Sequence, residues 1–183
     1  MNTNQTTSSI NPGKYLPDKP ALRKKTIRRY RRRGLLNLLK MGHCAPAVMK
    51  TLLDLENTKN EGLVRMTAGL PGGIGNTGFE CGGITASLVK FGLKKGLNEV
   101  QEGLPAIIPA GHEYIRQFGA CNKAILCREI LGNRRVPLPC IKVVRHAPEL
   151  YWQTAGKDNS GTITGETREA FRLLYAHFSA NDF

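Results

Sequence analysis

Residues 69–83 read GLPGGIGNTGFECGG, a glycine-dense stretch that leads into Cys81 and the helical pattern that follows it. Glycine accepts positive φ and permits close backbone approach, so these residues predict a tight turn rather than a continuous helix. A turn of this kind can point backbone N–H groups toward whatever Cys81 holds. The glycines predicted to line that ligand are Gly72, Gly73, Gly75 and Gly82.

Within the turn, residues 73–78 match the G-x-G-x-x-G spacing of a dinucleotide-binding loop. That spacing has physical meaning only between a parallel strand and the start of a helix. The residues before it, GLVRMTAGLP at 62–71, follow a helical pattern instead. The glycines therefore indicate a steric role rather than a phosphate-binding one.

The chain of 183 residues contains five cysteines, an odd number and a low density for a secreted disulfide scaffold. A chain of this length buries a core without disulfides as its main support. Cys44, Cys81 and Cys140 all fall at predicted helix starts, where unpaired N–H groups and the helix dipole favour a thiolate. Core packing does not require this placement, so the pattern favours a shared site for four cysteines with one to spare.

Apolar residues recur at helical spacing along most of the chain, and alternating strand patterns are nearly absent. The sequence therefore predicts an all-α fold with a single compact helical domain. Helices are predicted at 21–41, 45–55, 61–68, 82–96, 99–118 with a break near its prolines, 121–131 and 141–152. An extended segment is the alternative for the last of these. Cys127 is predicted to face inward from within the helix 121–131.

Composition divides the chain into three parts. Residues 1–20 are polar and contain prolines, which is typical of a disordered or loosely docked leader. Residues 21–150 are predicted to form the four-cysteine helical domain, which begins with the basic helix 21–41. Residues 151–183 are predicted to form a polar linker and a C-terminal amphipathic helix. The apolar stripe of that helix needs a partner surface, either this core or the second subunit of a homodimer.

The net charge of +13 is concentrated near the N-terminus. Residues 14–33 hold ten Lys or Arg residues and one Asp, which accounts for +9 and leaves about +4 for the rest of the chain. A solvated helix face explains such a run, and weak contact of residues 23–33 with nucleic acid or an anionic surface is the alternative. Tyr30 is the only aromatic residue within 23–33, so base stacking has little support.

Export is disfavoured by the same region. No apolar run approaches the roughly 20 residues that span a bilayer. Paired arginines precede the apolar segment GLLNLLKMG at 34–42, as they do in one class of export signal. That segment is short and is interrupted by Asn37 and Lys40, so a cytoplasmic location is predicted over export.

Three cysteine-containing segments precede Cys140, namely GHCAPAV at 42–48, CGGITASLVKFGLKKG at 81–96 and FGACNKAILCREILG at 118–132. Together they resemble the C-GCAxxG-C-C family of redox-active proteins, over roughly residues 27–144. The resemblance implies a site made of four cysteines in this order. They are Cys44, Cys81, Cys127 and Cys140.

The chain departs from the family pattern at two small residues. Family members usually carry Cys-Gly-Ala at the second cysteine and Gly three positions later, whereas this chain has Gly83 and Ala86 there. Cys121 is additional to the family set. The family is also distantly similar to part of the split-Soret cytochromes, which implies an all-helical redox scaffold. The chain has no Cys-x-x-Cys-His sequence, so covalent haem is not supported.

Four thiolates of this kind suit an iron–sulfur cluster, serving electron transfer or redox sensing with an unidentified redox partner. Because their spacing is wide, the tertiary fold would have to assemble such a site. A second hypothesis is metal-free dithiol–disulfide chemistry, with Cys81 as the attacking thiol and Cys44 or Cys127 as the resolving one. A third is structural zinc on the same thiolates, in an interaction module without redox work.

The histidines give no support for a hydrolytic enzyme. They are His43, His112, His146 and His177, and none lies in a recognised motif. Each is predicted to be a surface or capping residue. The sequence therefore assigns no substrate and no reaction.

Overall fold

The computed structural model describes residues 20–95, 104–133 and 138–155. Within these ranges the chain is all-α, as predicted, and a 3-10 turn at Thr67–Gly69 is the one further helical element. The helices are α1 (Pro20–Met41), α2 (Cys44–Leu55), α3 (Glu61–Met66), α4 (Gly82–Lys95), α5 (Leu104–Asn122), α6 (Cys127–Leu131) and α7 (Leu138–Ala155). None of the described helices is long and apolar enough to cross a membrane.

Helix α2 is the centre of the core. Its sequence, CAPAVMKTLLDL, is apolar on nearly every side, as expected for a helix surrounded by others. Helices α1, α4 and α7 pack around it, and Val48, Met49 and Leu52 have no exposed surface. Because α2 is held on all these sides, its first residue, Cys44, has a defined place at one end of the core.

Helices α1 and α7 are in close contact at Gly34. A Cβ on Gly34 would lie 2.0 Å from the carbonyl oxygen of Val144, so only glycine fits this crossing. Further along the same interface, Tyr30 stacks on Trp152 with a ring-centroid distance of 6.1 Å. The basic helix is thereby anchored on its apolar side, which leaves its arginines on the outer face.

One ion pair lies inside the packing of α4 against α2. Lys90 of α4 bonds Glu56, which caps the C-terminal end of α2, and their side chains are only 5% and 6% exposed. Charges removed from water in this way are tolerated only when they are paired. This contact therefore ties α4, and the glycine turn before it, to α2.

Several predicted helices are confirmed with small changes at their ends. The helices predicted at 21–41 and 45–55 match α1 and α2, and the helix favoured at 141–152 is part of α7. The break predicted near Pro105 and Pro109 is wrong, because α5 runs through Pro109 as one helix to Asn122. Pro105 lies in the first turn of α5, where no N–H group is needed for the helix. Predictions for the leader, for 96–103, and for the linker and C-terminal helix beyond residue 155 lie outside the described residues.

The helix predicted at 121–131 is wrong. Cys121 and Asn122 complete α5, the chain turns at Lys123 with φ +65°, and α6 begins only at Cys127. Between them, Leu126 forms an isolated antiparallel bridge with Glu80 at the end of the glycine turn. The backbone groups of this segment bond the turn instead of one another, which is why the helix is interrupted.

Candidate functional site

Each of the four cysteines implied by the resemblance lies at or beside the start of a helix. Cys44 and Cys127 are the first residues of α2 and α6, Cys81 immediately precedes α4, and Cys140 is the third residue of α7. Cys127 was predicted to lie within a helix, and the break after Asn122 is what moves it to a helix start. At the starts of α2 and α4, the N–H groups of Ala45 and Gly83 bond Cys44 and Cys81 and favour negative charge there.

Cys44 is the common neighbour within this group. Hydrogen bonding from the Cys140 and Cys81 thiols lowers the pKa of Cys44 to about 3, against the opposing effect of burial. The same hydrogen bonding, followed by burial and the charge on Cys44, raises the pKa of Cys81 and of Cys140. The first proton therefore leaves from Cys44, and its neighbours keep theirs because adjacent thiolates repel.

Cys127 is the outer member of the group. Burial, and then the charge on Cys44, raises the pKa of Cys127, while Cys127 in turn raises the pKa of Cys81 and Cys140. Its position is set by the backbone: Cys127 N–H donates to the carbonyl of Phe79 over 2.6 Å, and Cys81 N–H donates to the carbonyl of Ile125 over 3.0 Å. These two bonds hold the glycine turn beside the start of α6.

The glycine turn also supplies N–H groups to sulfur. The N–H groups of Ala45 and Gly72 both donate to Cys44, and both lower its pKa further, that of Ala45 by more. Gly83 N–H bonds Cys81, a contact that the sequence did not predict. Gly82 has a steric role, because a Cβ there would lie 2.9 Å from Cys44 Sγ.

The other two glycines singled out in the sequence shape the turn. A Cβ on Gly73, at φ +76°, would lie 2.6 Å from the backbone nitrogen and oxygen of Phe79. Gly75, at φ +67°, is exposed, and in the described chain a Cβ there would meet nothing within 4 Å. The structure thus brings Gly72 and Gly82 to Cys44, whereas Gly73 and Gly75 give the turn its curvature.

A model described as "Putative redox-active protein (C_GCAxxG_C_C)" matches residues 42–153. The chain belongs to this family. The match spans α2 to α7 with all four cysteines, and it confirms the resemblance drawn from the cysteine-containing segments. Helix α1 lies outside the matched range. Comparison with characterised proteins and with solved structures gave no match.

The family is described as redox-active, so we assign a redox character to this chain. All five cysteines are free thiols in the structure. Within the described ranges, no three His, Cys, Asp or Glu side chains are spaced as the ligands of a metal ion. The thiols would therefore have to turn toward a common centre to coordinate one.

Two expectations about individual residues are corrected by the structure. Cys81 was expected to be the readily ionised thiol, but the pKa of Cys81 is raised because it donates to Cys44. His146 was expected at the surface, but it is partly buried with Nδ1 2.9 Å from Cys121 Sγ. No sequence signal links these two residues, since they are 25 positions apart on different helices.

Proposed function

We propose that Cys44, Cys81, Cys127 and Cys140 hold an iron–sulfur cluster that serves electron transfer or redox sensing. The observation that carries the proposal is the hydrogen bonding of Cys44 with both Cys81 and Cys140, together with the charge of Cys127 acting on Cys81 and Cys140. The spacing of these cysteines along the chain is wide, yet hydrogen bonds join the thiol of Cys44 to those of Cys81 and Cys140. Four thiol ligands are the number and type that iron–sulfur clusters use.

The backbone around the thiols is suited to such a group. N–H groups of Gly72 and Ala45 bond Cys44, and that of Gly83 bonds Cys81. Hydrogen bonds to ligand sulfur, together with burial, are the protein's main means of setting a cluster's reduction potential. A bound cluster would supply the one-electron chemistry, and these residues would bind, orient and shield it.

The pKa shifts indicate the order in which the four cysteines lose their protons. Cys44 loses its proton most readily, because its thiolate accepts hydrogen bonds from Cys140 and Cys81. The neighbouring thiols keep their protons because adjacent thiolates repel each other. A bound metal cation attracts all the thiolates and so allows these protons to leave. Cys44 is therefore proposed as the first ligand to engage the metal.

Two other uses of the same thiols remain as alternatives. Free thiols in contact also suit reversible disulfide formation, with Cys44 rather than Cys81 as the attacking thiolate. Four thiolates also suit structural zinc. The iron–sulfur proposal is preferred because the family is described as redox-active and because N–H donors surround the sulfur atoms.

The test is anaerobic purification and reconstitution with ferrous iron and sulfide, followed by visible absorption and by iron and sulfide analysis. We expect a coloured protein that retains iron and sulfide. The Cys44→Ser variant should lose both, and the matched Cys121→Ser variant should keep them, because Cys121 bonds His146 outside the group. Circular dichroism checks that both variants are folded.

Three results would overturn the proposal. A wild-type chain that stays colourless and free of iron after reconstitution excludes the cluster. Retention of zinc without iron would establish the zinc alternative instead. Reversible loss of two titratable thiols in metal-free protein, with no iron uptake, would establish dithiol chemistry.

We also propose that the outer face of α1 contacts the phosphate backbone of nucleic acid. The cations exposed on α1 are Arg23, Lys24, Lys25, Arg28, Arg29, Arg32, Arg33 and Lys40. One side of the helix packs on α2 and α7, and Leu36 and Leu39 are exposed beside the cations. Tyr30 is buried, so the contact would be to phosphates rather than to bases.

A further inference from the structure

A second thiol site lies between α5 and α7. Cys121, the penultimate residue of α5, has its Sγ 2.9 Å from Nδ1 of His146 on α7, and both residues are partly exposed. Hydrogen-bond contact between a nucleophile and a base is the arrangement by which proteins activate a thiol. This pair shares no residue with the four-cysteine group.

The surroundings of the pair are cationic. Lys142 Nζ donates to the carbonyl of Cys121 over 2.6 Å, and Lys142 and Arg145 are both exposed on α7. Arg31 of α1 and Glu149 of α7 also act on His146, but they are paired with each other over 2.9 Å. Positive charge close to a thiol stabilises its thiolate and attracts anionic reactants.

The ionisation of His146 is consistent with a base. Burial is the largest cause of its lowered pKa, followed by the charge of Arg31. Glu149 opposes this effect, whereas Lys142 and Arg145 add to it. His146 is therefore neutral at neutral pH, which is the form that accepts a proton.

We propose that Cys121 and His146 form an activated-thiol site that exchanges with small, carboxylate-bearing disulfides. Cys121 and Cys140 are partly exposed, whereas Cys44, Cys81 and Cys127 are buried. Such a reactant reacts first at Cys121, because its thiol contacts His146 while the pKa of Cys140 is raised by its bond to Cys44 and by burial. Its carboxylates would be received by Lys142, which bonds the carbonyl of Cys121, and by Arg145, whose charge acts on His146. The site is independent of whatever the four-cysteine group holds.

The exchange is balanced without a further oxidant. His146 Nδ1 takes the proton of Cys121, and Cys121 Sγ attacks one sulfur of the disulfide. A bond forms between Cys121 and that sulfur while the original S–S bond breaks. The departing thiolate takes the proton from His146. Cys121 is oxidised to a mixed disulfide, and the other half of the reactant is reduced to a thiol.

The chain is well suited to mapping this reaction, because trypsin places each cysteine in a peptide of its own. Cys121 lies in 117–123, QFGACNK, between Arg116 and Lys123. The full chain is treated with glutathione disulfide at neutral pH, quenched at intervals, digested without reductant and analysed by mass spectrometry. We expect 117–123 to be modified first, about tenfold or more faster than the same synthetic peptide, since a positioned base accelerates proton transfer at least this much.

Variants test the role of His146. His146→Asn keeps a polar group near the position of Nδ1 but removes the base, so modification of 117–123 should slow about tenfold or more. His112→Asn, on the exposed side of α5, is the matched control and should react as the wild type does. Replacing glutathione disulfide with the cationic disulfide cystamine should reduce the rate advantage over the free peptide, because cations surround Cys121.

Several results would overturn the inference. Modification of 117–123 in the wild-type chain no faster than in the free peptide excludes an activated thiol, and this comparison needs no variant. A folded His146→Asn variant that reacts at the wild-type rate excludes the base. An undiminished advantage with cystamine excludes the preference for carboxylate-bearing disulfides. Reaction at 117–123 is independent of iron uptake, so failure of the cluster proposal leaves this result readable.

Discussion

Gly82, the first residue of α4, packs directly against Cys44 and Ala45 of α2. A Cβ on this residue would lie 2.9 Å from both Cys44 Sγ and the Cβ of Ala45, and one on Gly83 would lie 2.5 Å from Cγ1 of Val143. The start of α4 therefore approaches α2 and α7 by having no side chains at its first two positions. Val143 occupies the space that a methyl group on Gly83 would need.

We expect Gly82→Ala to lower the free energy of unfolding by about 1–3 kcal/mol, because the added methyl overpacks the contact with Cys44. Gly92→Ala on the same helix is the matched control. In the described chain a Cβ there would meet nothing within 4 Å, so this change should stabilise the protein by about 0.5–1 kcal/mol through helix propensity. Denaturant unfolding measures both. Equal effects of the two substitutions would contradict the close approach at Gly82.

At the scale of elements, α4 is attached to the core by a buried charge pair as well as by apolar contacts. Lys90 of α4 reaches Glu56 at the end of α2, with both side chains almost fully buried. A buried ion pair stabilises a protein little more than apolar residues of similar volume would. Removal of one partner, however, is strongly destabilising because it leaves a buried charge without its counter-ion. The orientation of α4, and hence of Cys81 before it, depends on keeping the two together.

We expect Lys90→Gln to destabilise the protein by about 3–5 kcal/mol, since it leaves the Glu56 carboxylate buried without its cation. Arg116→Gln removes the cation of an exposed pair with Glu113 and should change stability little. The double variant Lys90→Met with Glu56→Leu should recover most of the loss, because no buried charge remains. Denaturant unfolding of the three variants provides the measurement, and a small effect of Lys90→Gln would show that water reaches Glu56.

At the scale of the whole molecule, the exposed cations of α1 and the four-cysteine group lie on different helices. The exposed cations of α1 lie outside the range matched by the family, whereas the four cysteines lie within it. Two arginines of α1 form ion pairs within the chain: Arg31 pairs with Glu149, and Arg33 pairs with Asp54. Phosphate contact therefore falls to the cations that point outward, such as Arg28, Arg29 and Arg32.

We expect a short labelled RNA to bind the chain with an affinity that falls steeply with salt. Replacing Arg28, Arg29 and Arg32 with Gln should reduce the slope of log K against log salt by about 2, given about 0.7 per phosphate contact on a single strand. The same change in net charge at Lys59, Arg65 and Lys123, which are exposed elsewhere, is the control and should leave the slope nearly intact. Fluorescence anisotropy reports binding. Equal losses in both variants, or retention by anionic vesicles but not by RNA, would contradict the assignment.

Much of the fold follows from local sequence. The 3.6-residue apolar period predicted α1, α2 and most of α7, and the ordered cysteine segments predicted the family. These signals are local, since they depend on residues within a few positions of one another. The prediction of a helix at 121–131 failed because this segment bonds a distant part of the chain. Leu126 pairs with Glu80, which is 46 positions away, and Cys127 N–H donates to the carbonyl of Phe79.

The sequence by itself determined the all-α class and the placement of Cys44, Cys81 and Cys140 at helix starts. Only the tertiary structure decided that hydrogen bonding among the thiols lowers the pKa of Cys44 and raises that of Cys81, and that Cys121 contacts His146. The physical reason is that periodicity and helix starts are written in neighbouring residues. A thiol's pKa and its bonding partner depend instead on groups within a few ångströms in space, which helix packing brings together from distant parts of the chain.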